Sequence, residues 1–179
     1  MIFEPAEIDG AFVITLEPRA DERGWFARAW CEEEFRFQGL EVRAVQTNVS
    51  FNHRRGTIRG LHWQADPFGE AKLVRCTAGA IFDVLVDVRH GSPTYGRWQG
   101  IQLAAGDRQL VHVPAGCAHG YQSQADGSEV AYNVSHAYAP EAERGIRWDD
   151  PAFSIAWPLA EVIVSEKDAT WPDYALGLR

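Results

Sequence analysis

Hydrophobic and polar residues alternate with a period of two along most of the chain. This alternation is typical of β-strands that bury one face. Only two short stretches, residues 31–37 and 165–169, favour a helix. The alternation predicts strands over residues 12–16, 42–51, 57–63, 72–77, 81–88, 98–103, 110–113, 119–122 and 130–136.

Turn-forming residues separate the predicted strands, for example in Gly91-Ser92-Pro93 and Asp126-Gly127. Many short strands without alternating helices favour an antiparallel sandwich or barrel. No linker, repeat or low-complexity stretch divides the chain. We therefore expect residues 1–179 to form one all-β domain with a few short helices.

The composition fits a compact protein: 46% of the 179 residues are hydrophobic and seven are tryptophan. A net charge of −8 argues against a nucleic-acid surface, which requires a basic field. Three cysteines without paired spacing indicate reduced thiols. No apolar run reaches the roughly 18 residues of a membrane span, and no signal peptide is recognisable, so we expect a cytoplasmic protein that binds no membrane.

One segment combines an imidazole with two cations. Arg59 and His62 share one predicted strand, and Lys72 begins the next. Burying these charges requires partners, because an unpaired charge is costly in a medium of low dielectric constant. A packed core histidine is the simpler alternative for an isolated residue. A dianionic ligand would match the cations and leave His62 free to move protons, so we expect a site here.

A second histidine follows the turn Pro114-Ala115-Gly116-Cys117-Ala118-His119. This turn resembles the second motif of the cupins, whose histidine often binds a metal. The first cupin motif normally supplies two histidines and a glutamate, whereas only His62 stands there in this chain. Two imidazoles fall short of the three protein ligands usual at a catalytic metal. We expect no metal and no cofactor, and assign His119 to an anionic group of a ligand.

Other polar side chains are weaker candidates. Tyr132 falls on the inward face of its predicted strand, where its phenol needs either a ligand or a backbone carbonyl as partner. Gln46 and Asn48 are two residues apart, so both amides lie on one strand face and could contact a heterocycle. Arg23, in a charged turn, adds a guanidinium suited to phosphate contacts.

Taken together, these motifs resemble the dTDP-4-dehydrorhamnose 3,5-epimerases over almost the whole chain. So many motifs in one order are specific for that family, though less so for one substrate. The motifs are Asp21-Glu22-Arg23-Gly24, Val45-Gln46-Thr47-Asn48, Arg59-Gly60-Leu61-His62-Trp63-Gln64, Lys72-Leu73-Val74-Arg75, Phe82-Asp83-Val84-Leu85-Val86-Asp87-Val88-Arg89, Ser92-Pro93-Thr94-Tyr95-Gly96, Val113-Pro114-Ala115-Gly116-Cys117-Ala118-His119-Gly120, Asp149-Asp150-Pro151, Ile155-Ala156-Trp157-Pro158 and Ser165-Glu166-Lys167-Asp168-Ala169.

The resemblance implies a metal-independent cupin-like jelly roll without a cofactor, acting as a homodimer with exchanged N-terminal strands. Its substrate would be a nucleotide-diphosphate 4-keto-6-deoxy sugar, epimerised at C3 and C5. The implied catalytic residues are the base His62, its orienting carboxylate Asp168, the opposed acid Tyr132, and Lys72 on the keto oxygen. The implied binding residues are Arg23, Arg59 and His119 for diphosphate and sugar, Gln46, Asn48 and Tyr138 for the base, and also Glu143 and Lys167.

One departure concerns the nucleotide. The family commonly has an acidic residue where this chain has Arg28, a position at the nucleotide end of the pocket. Thymine N3–H needs an acceptor, which arginine lacks, so the base remains open. Two alternatives also remain. In the first, the enzyme epimerises C3 or C5 alone, or acts on a sugar carried by CDP or another nucleotide. In the second, the protein is a non-catalytic or metal-binding cupin that only holds a sugar.

Overall fold

The computed structural model describes residues 1–40 and 43–176, and its secondary structure consists mostly of antiparallel β-strands. All pairings between strands are antiparallel in this part of the chain, which confirms the predicted all-β fold class. The elements are β1 (Ile2–Pro5), β2 (Phe12–Thr15), β3 (Arg19–Asp21), β4 (Gly24–Phe26), α1 (Glu32–Phe37), β5 (Gln46–Asn52), β6 (Ile58–Gln64), β7 (Lys72–Ala78), β8 (Ala80–Asp87), β9 (Trp98–Ala104), β10 (Gln109–Val113), β11 (Cys117–Ser123), β12 (Ser128–Val134), β13 (Glu143–Gly145) and α2 (Glu166–Ala169).

The nine predicted strands and both predicted helices form, with most ends shifted by a residue or two. The exception is β5, which begins at Gln46, whereas the prediction begins at Val42, outside the described residues. The predicted strands do not include β1, β3, β4 and β13, which have three or four residues each and show no clear alternation. No helix in the described ranges is long and apolar enough to cross a membrane.

Two sheets face each other as in a jelly roll. One sheet has the order β1-β2-β10-β7-β12-β5, and the other has the order β13-β6-β11-β8-β9. Between them lies an apolar core with Val74 and Val111 from the first sheet and Leu85 and Leu103 from the second. The small hairpin β3–β4 pairs with neither sheet.

Both sheets are also covered on their outer faces, which explains the continuous apolar run in β8. Helix α1 places Phe35 against Ile14 and Leu110 on the six-stranded sheet. The segment after β13 places Phe153 against Val84 on the five-stranded sheet. Each fully buried side chain of this size contributes roughly 1.5–3 kcal/mol to folding. The strands that frame the barrel are therefore held from both sides.

A buried ionic cluster fixes the end of β8. Asp87 is fully buried, and its carboxylate accepts hydrogen bonds from Arg89 Nη2 at 2.7 Å and Thr94 Oγ1 at 2.6 Å. Arg89 also donates to the carbonyl oxygen of Asp9, at 2.7 Å, which ties the loop before β2 to this cluster. Burial alone would raise the pKa of Asp87, but Arg89, Ser92 and Thr94 lower it to about 2.

We expect Asp87→Asn to lower the free energy of unfolding at pH 7 by about 2 kcal/mol, the amount that corresponds to this pKa shift. Because the native pKa is lowered, the stabilisation is present above the unfolded value of about 4 and is lost as the pH falls toward 2. Urea unfolding at several pH values measures both effects. Asp149→Asn, in an exposed pair with Arg147, is the control and should cost less than about 1 kcal/mol. Equal stability of Asp87→Asn and wild type at pH 7 would contradict this account.

Candidate active site

A cavity of about 710 Å³ lies between the two sheets. Its walls come from β5, β7 and β12 on one side and from β6 and β11 on the other, and the segment leading into α2 closes part of it. The cavity therefore occupies the part of the barrel that the apolar core does not fill. The site residues predicted from the sequence that line it are Gln46, Asn48, Arg59, His62, Lys72, His119, Tyr132, Tyr138, Glu143 and Asp168.

His62 and Asp168 form a hydrogen-bonded pair on one wall. The imidazole Nε2 of His62 lies 2.7 Å from Asp168 Oδ1, and Asp168 Oδ2 accepts from the backbone N–H of Gly60 at 3.3 Å. Burial would raise the pKa of Asp168, but the hydrogen bond and charge of His62 lower it overall. An ionised carboxylate only accepts hydrogen bonds, so Nε2 carries the proton and Nδ1 of the neutral ring is free to accept one.

Helix α2 brings Asp168 to this wall. Ser165 caps the helix, and its Oγ accepts from the backbone N–H of Asp168 at 3.1 Å. Next to Asp168, the exposed ammonium of Lys167 lies 2.6 Å from Glu143 Oε1 on β13. The short helix is thus fastened to the five-stranded sheet by Asp168 itself and by the neighbouring Lys167.

Two glycines allow β6 and β11 to approach closely beside His62. A Cβ on Gly60 would lie 2.6 Å from the carbonyl oxygen of His119, and one on Gly120 would lie 2.6 Å from that of Arg59. Gly60 also has a φ of +107°, which other residues rarely adopt. His62 and His119 are direct partners across these two strands. The close approach therefore sets the two imidazoles side by side on one wall.

His119 has its own carboxylate partner. Its Nε2 lies 2.7 Å from Oδ1 of Asp83, which is fully buried on β8. Within the described part of the chain, Asp83 Oδ2 is a buried atom without a hydrogen-bond partner. The imidazole of His119 is therefore oriented from behind while it lines the cavity.

Lys72 is nearly buried at the start of β7. Its Nζ lies 3.0 Å from Glu70 Oε1 and donates to the carbonyl oxygen of His62 at 3.1 Å. From the sequence we expect a bound anionic ligand to balance the positive charges beside His62. The structure corrects that expectation in part, because Glu70 already supplies an anion to Lys72.

Tyr132 lies on the wall opposite His62, since β12 belongs to the six-stranded sheet and β6 to the five-stranded one. Burial raises the pKa of Tyr132, and the nearby Tyr121 and Glu70 raise it further while Arg59 lowers it. Among the described residues, no hydrogen bond to the Tyr132 hydroxyl is found. The Tyr132 hydroxyl is therefore not anchored on a backbone carbonyl, which was the alternative to binding a ligand. The protonated hydroxyl is available to a ligand.

A polar network lies beside Tyr132. Arg59 Nε donates to Asn52 Oδ1 at 2.8 Å, and Asn52 Nδ2 donates to the hydroxyl of Tyr121 at 3.2 Å. The Tyr121 hydroxyl also lies 2.6 Å from Ser50 Oγ. Arg59 is thus held along the cavity wall, where its guanidinium remains partly exposed for an anionic group.

The residues expected to contact a base also line the cavity, on β5 and in the loop after β12. Gln46 and Asn48 point to the cavity from one face of β5, as their spacing predicts. Gln46 Oε1 accepts from the backbone N–H of Tyr138 at 2.7 Å, and the Tyr138 hydroxyl donates to Glu143 Oε2 at 2.7 Å. Tyr138 is 56% exposed, so its ring is free to pack against a ligand.

Three basic residues considered above do not line the cavity, namely Arg23, Arg28 and Lys167. Lys167 reaches it only through Glu143. Arg23 lies in the β3–β4 turn with 85% of its side chain exposed and pairs with Asp21 at 2.6 Å. Arg28, the departure at the nucleotide end, is 62% exposed and pairs with Glu34 of its own chain at 2.9 Å.

Sequence reasoning missed Asp83, Glu70 and Tyr121 as parts of the site. Asp83 had a readable signal, a carboxylate inside the apolar run of β8. Glu70 stands two residues before Lys72, but it lies in a loop, where the alternation of a strand does not indicate which side chains share a face. Over residues 1–40 and 43–176, no group of three or more His, Cys, Asp or Glu side chains is arranged to hold a metal ion.

Comparisons with known proteins agree with this architecture. The family model described as dTDP-4-dehydrorhamnose 3,5-epimerase matches residues 5–175. The dTDP-4-dehydrorhamnose 3,5-epimerase of Sinorhizobium fredii is 43% identical over 173 residues, which cover 96% of this chain and 89% of that protein.

Solved structures of similar proteins share the fold. A dTDP-4-dehydrorhamnose 3,5-epimerase from Bacillus anthracis with TDP and PPi bound has a TM-score of 0.93 and 34% identity, over 97% of this chain and 99% of that one. ChmJ, a 3′-monoepimerase from Streptomyces bikiniensis in complex with dTDP-quinovose, has a TM-score of 0.87 and 36% identity, over 94% and 86%. This chain therefore belongs to the dTDP-4-dehydrorhamnose 3,5-epimerase family.

Proposed function

We propose that the protein converts dTDP-4-dehydro-6-deoxy-D-glucose to dTDP-4-dehydro-L-rhamnose by epimerisation at C3 and C5. One observation carries the proposal: the His62–Asp168 pair and the Tyr132 hydroxyl lie on opposite walls of one cavity. Inversion at carbon requires removal of a proton from one face and its return to the other. A module that only binds a sugar needs neither a poised base nor an opposed acid.

His62 is the base of the proposed reaction. C3 and C5 both adjoin the C4 carbonyl, so their protons become acidic only through an enolate. A base that is neutral near pH 7 suits this abstraction, and imidazole is such a base. Asp168 holds the ring through Nε2 and stabilises the imidazolium that forms when Nδ1 takes the proton.

Lys72 and Tyr132 complete the chemistry. Negative charge develops on O4 as the enolate forms, and the nearly buried ammonium of Lys72 stabilises that charge more in the transition state than in the ground state. Tyr132 then supplies a proton to the opposite face of the ring. Its raised pKa keeps the phenol protonated for this step.

The remaining residues bind the nucleotide diphosphate. In this proposal Arg59 and His119 contact the diphosphate and the sugar, together with Arg23. Gln46, Asn48 and Tyr138 contact the base, and Glu143 with Lys167 holds Tyr138 and α2 in place. The similarity to a protein solved with TDP and PPi bound supports a nucleotide diphosphate as part of the ligand.

A second function on the same fold is epimerisation at C3 alone. The similarity to ChmJ, a 3′-monoepimerase, favours this alternative specifically. Deuterium exchange distinguishes the two, because a C3-only enzyme does not incorporate deuterium at C5. A third possibility, a metal-binding cupin, would be indicated by stoichiometric iron, zinc or manganese in the purified protein.

We also propose a homodimer in which each cavity receives Arg23 from the neighbouring chain. The β3–β4 hairpin supports this, because it pairs with neither sheet and exposes Trp25 and Phe26 by 51% and 73%. Exposed aromatic residues on an isolated hairpin are typical of a surface that contacts another protein. Arg23 itself points away from the cavity of its own chain.

His62→Asn should abolish deuterium incorporation at both C3 and C5 in D₂O, because both abstractions use the same base. Tyr132→Phe should retain exchange but impair inversion, since only the proton donor is lost. Asp168→Asn should slow the reaction by on the order of 10²–10⁴. Mass spectrometry and NMR of the dTDP-sugar measure these rates, and His53→Asn, outside the cavity, is the control. Turnover of His62→Asn at the wild-type rate would refute the scheme.

The wild-type protein should bind dTDP at least tenfold more tightly than CDP. Arg28 pairs with Glu34 outside the cavity and so does not contact the base there. We therefore expect Gln46 and Asn48 to hydrogen-bond the base. A correctly paired polar edge of the base is worth about 1–3 kcal/mol. Competition binding measures the ratio. A clear preference for CDP would mean that the nucleotide proposed here is wrong.

Mixed dimers test the origin of Arg23. Arg23→Ala and His62→Asn should each be nearly inactive alone. If Arg23 serves the neighbouring site, a mixed dimer contains one site with both residues intact, so exchange of subunits at equal amounts should restore roughly a quarter of the wild-type activity. No recovery, although mass spectrometry shows mixed dimers, would assign Arg23 to its own chain. A monomer in sedimentation at micromolar concentration would overturn the dimer itself.

A further inference from the structure

Glu70 is a nearly buried carboxylate in the cavity wall. It stands in the loop before β7, and only 12% of its side chain is exposed. Its Oε1 lies 3.0 Å from Lys72 Nζ, and its Oε2 lies 3.4 Å from Gln64 Nε2. The proposed reaction uses Lys72 but assigns nothing to Glu70.

The loop that carries Glu70 is itself anchored. Gln64 is buried at the end of β6, and its Nε2 donates to the carbonyl oxygens of Phe68 at 3.0 Å and Ala137 at 3.2 Å. Its Oε1 accepts from the backbone N–H of Ala139 at 2.6 Å. Gln64 thus joins three segments around Glu70, so the carboxylate is presented to Lys72 from a fixed loop.

The ammonium of Lys72 is held by two contacts. Its Nζ donates one hydrogen bond, to the carbonyl oxygen of His62 at 3.1 Å, and forms an ion pair with Glu70 at 3.0 Å. An ammonium has three N–H donors, so Lys72 can still donate to a ligand oxygen in the cavity that it lines. Without Glu70, the four-carbon stem of the lysine would be held by one acceptor only, and the ammonium would have many more orientations.

We propose that Glu70 is a positioning residue that aims Lys72 at the keto oxygen of the bound sugar. This inference rests on the proposed epimerase function. The charge of Glu70 offsets part of the positive charge of Lys72 and so does not strengthen the attraction for an enolate. What Glu70 adds is orientation, and a misplacement of about 1 Å can cost about 10²-fold in rate. The same charge helps to keep the phenol of Tyr132 protonated, after burial and Tyr121.

The test separates orientation from charge with two variants. Glu70→Gln keeps a carbonyl oxygen that accepts from Lys72 but removes the charge, whereas Glu70→Ala removes both. We expect Glu70→Ala to lower kcat for exchange at C3 by about 10- to 100-fold, with KM and the Kd for dTDP within about threefold of wild type. Glu70→Gln should keep kcat within about fivefold. Glu129→Ala, a hydrogen-bonded glutamate outside the cavity, is the control and should match wild type.

Two results would overturn the inference. Wild-type kcat in Glu70→Ala would show that Lys72 needs no support, and an equal loss in Glu70→Gln would show that charge and not orientation is at work. If Glu70→Ala fails to fold by circular dichroism, Glu70→Asp replaces it, because its shorter side chain withdraws the carboxylate by about 1.5 Å. Glu70→Asp must then be slower than Glu70→Gln. A wild-type protein that exchanges neither proton would overturn the epimerase proposal together with this inference, whereas the first two results leave the epimerase proposal intact.

Discussion

Each of three basic side chains in the cavity wall contacts one carboxylate, and this pairing determines what the cavity can do. The pairs are His62 with Asp168, His119 with Asp83, and Lys72 with Glu70. A charge that leaves water for a medium of low dielectric constant must be compensated, or the group loses its charge. Here one carboxylate forms an ion pair with the ammonium of Lys72, and the other two accept hydrogen bonds from the imidazoles, while all three basic side chains line the cavity.

Two of these carboxylates also hold the imidazoles in position. Asp168 is 106 residues from His62 in the chain, and Asp83 is 36 residues from His119, so each pair joins separate parts of the fold. The strands between them are covered on both faces, because Leu61 and Ala118 pack under the C-terminal segment beside the inward histidines. An imidazole held by its neighbours and by a carboxylate loses little entropy when a substrate binds.

The features that were predictable from the sequence are those that depend on local alternation. Tyr132 and the pair Gln46 and Asn48 reach the cavity because side chains two apart share a strand face. The pair of Asp83 with His119 was not predictable, because it depends on which strands meet in three dimensions. Glu70 is only two residues from Lys72, but it stands in a loop, where the alternation of a strand does not apply. The unpredicted strands, such as β3, show no clear alternation over their three or four residues. The fold of one chain does not place Arg23 in the cavity, since its hairpin joins neither sheet.

Two opposed walls are also sufficient for a double inversion. In the chair form of a sugar with the D-gluco configuration, the hydrogens on C3 and C5 point to the same face of the ring. In the proposed mechanism one base, His62, would therefore reach both protons without a second base, and one acid on the other wall, Tyr132, would supply a proton at both carbons. ChmJ shares this fold and is a 3′-monoepimerase, so the fold alone does not decide how many carbons are inverted.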